Sequence, residues 1–135
     1  MKLSHRMALL LLSVTLSVAP GLSGCGGGED RYTPEAGSAR DSLAAALQAW
    51  QDGQPLKPTM IEETTVNVVD ARWQSGKKLE SFEILSEVAG EPQPTFVVRQ
   101  QIAGEQGAAE TRYIVVGIEP IHVFREEDYN QPAGM

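Results

Sequence analysis

Ala39-Arg40-Asp41-Ser42-Leu43-Ala44-Ala45-Ala46-Leu47-Gln48-Ala49-Trp50 is the stretch on which the fold turns. Ala39, Leu43, Ala46, Leu47 and Trp50 recur at three- and four-residue intervals, which puts them on one face of an α-helix, while Arg40, Gln48 and Gln51 fall elsewhere. Upstream, Thr33-Pro34-Glu35 offers a cap, a proline at the first helical position and an acid in the first turn. Ser38-Ala39-Arg40-Asp41 offers a second start with capping-box spacing, and Gly37 lies between the two. Downstream, Asp52-Gly53 and then Pro55 predict a glycine C-cap and a stop. The stretch therefore predicts one amphipathic helix of about four turns, and no second helix of any length follows.

Outward from the helix the periodicity changes to two. Residues 53–63 are polar and proline-containing and read as a loop. Residues 64–69 are β-branched and read as a strand, and 70–78 as a compact connection with a turn at Gly76. Residues 79–88 form the next strand, with Phe82, Ile84 and Val88 on one face and Ser81, Glu83 and Glu87 on the other. Gly90-Glu91-Pro92-Gln93-Pro94 breaks it. In residues 95–102 Phe96, Val98 and Ile102 alternate with Val97, Arg99 and Gln101. A hairpin loop at 104–107 leads to 110–118, where Ile114, Val116 and Ile118 lie opposite Tyr113 and Val115. Glu119-Pro120 interrupts, and 121–125 is a short last strand. The expected fold is α+β: one N-terminal amphipathic helix packed on a curved antiparallel sheet of four to five strands. The expected domain covers 33–128, with a loose polar tail at 129–135.

Composition sets further limits. The chain has 135 residues and a formal charge of -7. Two of the 11 bases, Lys2 and Arg6, and none of the 18 acids fall in the first 24 residues. The remainder thus carries 9 bases against 18 acids, a charge of -9. That is chain enough for one small domain. Its acidity disfavours nucleic acid, whose phosphates are bound by Lys and Arg. Beyond residue 24 there is one Cys and one His, which excludes a disulfide framework and a conventional zinc site. No metal or cofactor is expected.

Residues 1–24 read as an export signal. Lys2 and Arg6 form a basic head, and an apolar run from Met7 to Val18 follows. It spans about a dozen residues, where a membrane-spanning helix needs roughly 20. Leu22-Ser23-Gly24-Cys25 resembles the lipobox of bacterial lipoproteins. That resemblance implies cleavage before Cys25 and a diacylglycerol on its sulfur, which must react as a thiolate. It also implies export, with anchoring to the bacterial membrane facing the periplasm or at the outer membrane. Gly26 stands where an Asp would signal inner-membrane retention in the best-studied sorting system. Gly26-Gly27-Gly28 reads as a flexible tether within 25–32. The eight steps from Cys25 to Thr33 reach at most about 28 Å, which keeps the domain near the membrane.

The helix-then-strands order is similar to the cystatin-like and NTF2-like α+β folds. More narrowly, 33–128 resembles a group of small lipoproteins of planctomycete-type bacteria. The resemblance rests on Ala39-Arg40 through Leu47 and Trp50, on Val68-Val69-Asp70 with Trp73, on Gly76-Lys77-Lys78-Leu79-Glu80-Ser81-Phe82-Glu83-Ile84-Leu85, and on Arg125-Glu126-Glu127-Asp128. It implies a fold and a location and supplies no activity.

No residue pattern carries catalysis. His122, between Ile121 and Val123, points away from both, together with Phe124, and reads as a strand histidine rather than a base. Glu126-Glu127-Asp128 reads as a solvated charged end, with neither calcium-loop spacing nor a second His. Asp70, Arg72 and Trp73 are the candidates for contact with a ligand or partner, although Asp70 also suits a turn, binding nearby backbone amides. Lys57, Arg72, Lys77 and Lys78 place four bases within 22 positions, a local basic end or scattered solubilising charge. The expected function is a membrane-anchored, non-enzymatic module whose partner is an envelope protein or cell-wall material. The alternatives are a small-ligand domain with a shallow site between helix and sheet, and an enzyme using Asp70 or His122.

Overall fold

The computed structural model describes residues 33–131. The expected signal at 1–24, the lipobox residues Leu22, Ser23 and Gly24, and Cys25 with the rest of 25–32 lie outside the described residues, as do 132–135.

The helix α1 (Ala36–Gln51) forms from the stretch that predicts it, but it starts between the two expected caps. Glu35 takes the N-cap position with no side-chain cap, its carbonyl accepting from the Ala39 N–H at 2.8 Å, so Ser38 lies inside the first turn. At the other end Gly53 adopts φ +82. Gly53 N–H then reaches the Trp50 carbonyl and Gln54 N–H the Ala49 carbonyl, both at 3.0 Å. This pair is a Schellman ending, which only a residue tolerant of positive φ supplies without strain. Ala39, Leu43, Ala46, Leu47 and Trp50 are all buried, as their spacing predicts.

Six strands follow: β1 (Thr59–Ile61), β2 (Thr64–Val69), β3 (Leu79–Glu87), β4 (Thr95–Ile102), β5 (Ala109–Val116) and β6 (Ile121–Arg125). A four-residue helix, α2 (Ala71–Gln74), separates β2 from β3, and α3 (Glu126–Tyr129) follows β6. The strands form one sheet in the order β1-β2-β6-β5-β4-β3. The class is α+β, with a curled, mixed sheet in the form of a half-barrel and a helix against it.

Three expectations about the sheet are corrected. It has six strands rather than four to five. Residues 53–63 are not wholly loop, because Thr59, Met60 and Ile61 pair with Val66, Thr65 and Thr64 across a tight turn in which Glu62 takes φ 55. The sheet is also not purely antiparallel, since β2 and β6 run parallel, with Val66 opposite Ile121 and Val69 opposite Phe124. The reason lies in 70–78. That connection holds α2 and carries the chain to the far edge, where β3 pairs only with β4. The flank of β2 is left for β6, and β3–β5 serve as the long crossover that parallel pairing requires.

The curl makes a single core. α1 touches β3 at one edge of the sheet and β1 and β2 at the other, as well as β5 and β6. The inward residues Val66, Phe96, Val98, Ile102, Tyr113, Val115, Ile121 and Val123 meet Leu43, Leu47 and Trp50. At the β3 edge, Glu80, Glu83 and Glu87 and two register shifts in its pairing oppose edge-to-edge association. Among the described residues no helix is long and apolar enough to cross a membrane.

Candidate functional site

Asp70 follows β2 and caps α2. Its Oδ1 accepts the Arg72 backbone N–H at 2.9 Å, the turn role that its position suggests. The side chain does more than cap. It is 1 % exposed, and its Oδ2 accepts from the Tyr113 hydroxyl at 2.6 Å and from Arg72 Nη2 at 3.2 Å. Arg72 Nε also reaches Oδ1 at 3.3 Å. The Tyr113 oxygen in turn accepts from Gln100 Nε2 at 2.8 Å and Arg72 Nη2 at 3.1 Å, and Gln100 Oε1 accepts from Arg72 Nη2 at 2.7 Å. Asp70 at the N-cap of α2, Arg72 in α2, Gln100 in β4 and Tyr113 in β5 thus close one network.

Its electrostatics follow from this closure. Burial lowers the Arg72 pKa, but the hydrogen bonds to Asp70 and Tyr113 and the electrostatic attraction of both outweigh it, and the net shift is upward. The Tyr113 phenol is held well above its usual range, first by burial and then by the Asp70 charge, against the opposing pull of Arg72. A buried carboxylate is tolerable only when paired and hydrogen-bonded, and here both oxygens are used. The cluster holds its charges in place within the fold.

Trp73 is buried too. Its ring stacks on Trp50 with centroids 5.6 Å apart and planes 10° from parallel, and the Arg72 guanidinium lies 5.6 Å from the Trp50 ring centre. Gly76, at φ +90, ends α2 as Gly53 ends α1, with Gly76 N–H on the Trp73 carbonyl and Lys77 N–H on the Arg72 carbonyl. The two endings are linked reciprocally. Trp50 Nε1 donates to the Lys77 carbonyl at 2.8 Å, and Trp73 Nε1 donates to the Gln54 carbonyl at 3.0 Å. An open groove of about 690 Å³ runs between these helix ends, bordered by Gln54, Leu56, Trp73, Lys77 and Lys78. Of the four clustered bases, Lys77 and Lys78 reach it, Lys77 also pairing with Glu105 at 3.5 Å, while Arg72 is engaged in the buried network.

The C-terminal acids are a solvated end only in part: Glu127 is exposed and Glu126 partly so, but Asp128 is not. Asp128 has a side chain only 7 % exposed, and its Oδ2 accepts from Arg125 Nε and from the Ala71 backbone N–H, both at 3.0 Å. It therefore staples α3 to the start of α2. Glu127 pairs with Arg125 and Glu126 with Arg112. The loose tail expected from 129 begins inside α3, where the Tyr129 ring meets Phe124 edge-on at 5.3 Å. His122 is half-buried on the outer face of the sheet, stacked on Phe124 at 6.1 Å. Among the described residues no group of three or more His, Cys, Asp or Glu is placed to hold a metal ion.

Tyr113 and Gln100 are the members of the network that the sequence reading misses. A signal for Gln100 existed: it shares the inward parity of Phe96, Val98 and Ile102, so a polar amide there needs a buried partner. No protein-family model, curated protein or solved structure matches the chain.

Proposed function

We propose that the protein is a lipid-anchored module of the bacterial envelope that acts by contact rather than by catalysis. The anchor rests on Cys25 behind Leu22, Ser23 and Gly24, preceded by a basic head and a short apolar run. Residues 25–32 then keep the domain within about 28 Å of the bilayer. The observation that carries the non-catalytic half is the saturation of the buried cluster. The Asp70 carboxylate and Tyr113 hydroxyl spend their bonding capacity within the fold. A general base must instead have a lone pair within reach of substrate. Within the α+β class, a cystatin-like or NTF2-like arrangement is the finer proposal, supported by one long helix in the hollow of a curled sheet.

A second reading has one observation in its favour. The groove between α1 and α2 falls within the volume range of small-molecule sites, roughly 300 to 1,000 Å³. Its walls, however, are helix C-terminal ends whose partial negative charge counters the two lysines, so contact with a macromolecule remains the preferred reading. Membrane fractionation tests the anchored module. The wild type stays with the membrane in high salt, and Cys25→Ser lacks the lipid and its processing. Equal behaviour of the two would overturn the proposal.

A further inference from the structure

The outer face of the sheet, turned away from α1, is divided in two. On the β3–β4–β5 half it is charged. Arg99 lies opposite Glu83 on one neighbour and Glu110 on the other, at 3.7 and 3.9 Å, an arrangement suited to water. On the β1–β2–β6–β5 half the same face is mostly apolar, with Thr65, Asn67 and His122 as polar members. Val69, Phe124 and Ile114 form one cross-strand row, and Asn67, His122 and Val116 the next. Met60 extends this surface onto β1, where its sulfur accepts from the Thr65 hydroxyl at 3.2 Å. Ile118 follows in the turn between β5 and β6. The exposed large hydrophobic residues, Met60 at 62 %, Ile118 at 52 %, Tyr129 and Val69, all belong to this half or to α3 against it. A solvated sheet face alternates with polar residues, and clustered exposed apolar side chains mark a contact surface.

The rim identifies the occupant. Glu62 and Glu63 form the turn beside Met60, and Glu119 adjoins Ile118, its carboxylate accepting the Thr65 N–H at 3.3 Å. Among the described residues none of these three carboxylates makes an ion pair, whereas Glu126 and Glu127 at the other end pair with arginines. A second copy would bring acid against acid. Anionic lipid would repel the same rim, and the chain beyond residue 24 carries a charge of -9. An apolar centre with an unpaired acidic rim suits the opposite pattern. We propose that this half-face docks a partner protein whose contact surface has an apolar centre flanked by Lys or Arg. The inference rests on the contact-module reading and names its surface and the chemistry of its partner.

Site-specific photo-crosslinking of the intact protein in its own cells tests it. A photoreactive residue replaces Met60 or Ile118 on the apolar half, or Glu83 or Arg99 on the charged half. The expected result is one heteromeric adduct from Met60 and Ile118 and none from Glu83 or Arg99. The crosslinked peptide of the partner should carry basic residues. The adduct should be lost when Glu62→Lys, Glu63→Lys and Glu119→Lys are combined, with circular dichroism unchanged. Two controls cover a failure of that triple variant to fold: Arg112→Gln should retain the adduct, and raised salt applied to the unsubstituted protein should weaken it. An adduct with a second copy or with lipid, equal labelling from both halves, or no adduct would overturn the proposal. Loss of membrane attachment would count instead against the anchored module, so the two failures are separable.

Discussion

Trp50 and Trp73 lie stacked 5.6 Å apart, each donating its indole N–H to a carbonyl just beyond the end of the other's helix. This places the C-terminal end of the long helix on the connection that carries the chain from β2 to β3. The same connection presents Asp70 and Arg72 to the core. The tryptophan pair therefore sets both the crossing of the sheet and the geometry of the buried polar network.

Trp50→Ala is expected to be severely destabilising. Truncating a buried aromatic costs about 3 to 5 kcal/mol, and here an indole hydrogen bond and a ring stack go with it. A domain of this size has about 5 to 15 kcal/mol in total. A thermal melt within a degree of wild type would show that this contact is not holding the helix.

Arg72→Met removes the cation from a carboxylate that stays buried. Breaking a buried pair from one side costs about 3 to 5 kcal/mol. The lower end applies, because the guanidinium retains some exposure. Adding Asp70→Asn should recover part of the loss by removing the stranded charge. Urea unfolding of the single and double variants checks this, and purely additive losses would contradict the coupling.

Alkali should unfold the domain through Tyr113. Its pKa in the folded state lies above the ordinary value of 10.0, so between the two the folded protein holds a proton that the unfolded chain releases. The stability linked to Tyr113 is fully present below about pH 10 and is lost as the pH rises further. The ultraviolet absorbance of tyrosinate, followed beside circular dichroism, should show one phenol ionising only as structure is lost. Tyr113→Phe should flatten the stability loss above pH 10, at a cost of about 1 to 3 kcal/mol for the partners left behind.

His122→Gln should cost about 0.5 to 1.5 kcal/mol, the worth of a ring contact with Phe124, and leave any cellular phenotype of the gene nearly unchanged. A full loss of phenotype in a normally folded variant would reopen the reading of His122 as a base.

How much of this was legible in the sequence differs from element to element. The helix stripe, the glycine ending at Gly53 and the parity of Phe96, Val98 and Ile102 were readable, because each is a local periodicity or a local φ requirement. β1 was not, because three residues among prolines and acids carry no period. The parallel pairing of β2 with β6 was not, because it depends on where α2 sends the chain. Asp70 was legible as a turn former through its amide-capping role, whereas its bond to Tyr113 spans 43 positions and has no local signature. Asp128 looked like a member of a solvated acidic run for the same reason, since its partner Ala71 N–H lies 57 positions away.

Anchoring of the chain to the membrane through Cys25 is decided by the intact mass of the membrane-extracted protein. One acyl chain gives marginal binding, near 10⁴ M⁻¹, whereas two anchor stably. The acidic domain offers an anionic membrane no electrostatic help, so the proposed anchoring requires the lipid. The expected result is a mature chain beginning at Cys25 with the mass of at least a diacylglycerol added. A mature chain beginning at Cys25 with no added lipid mass would contradict it.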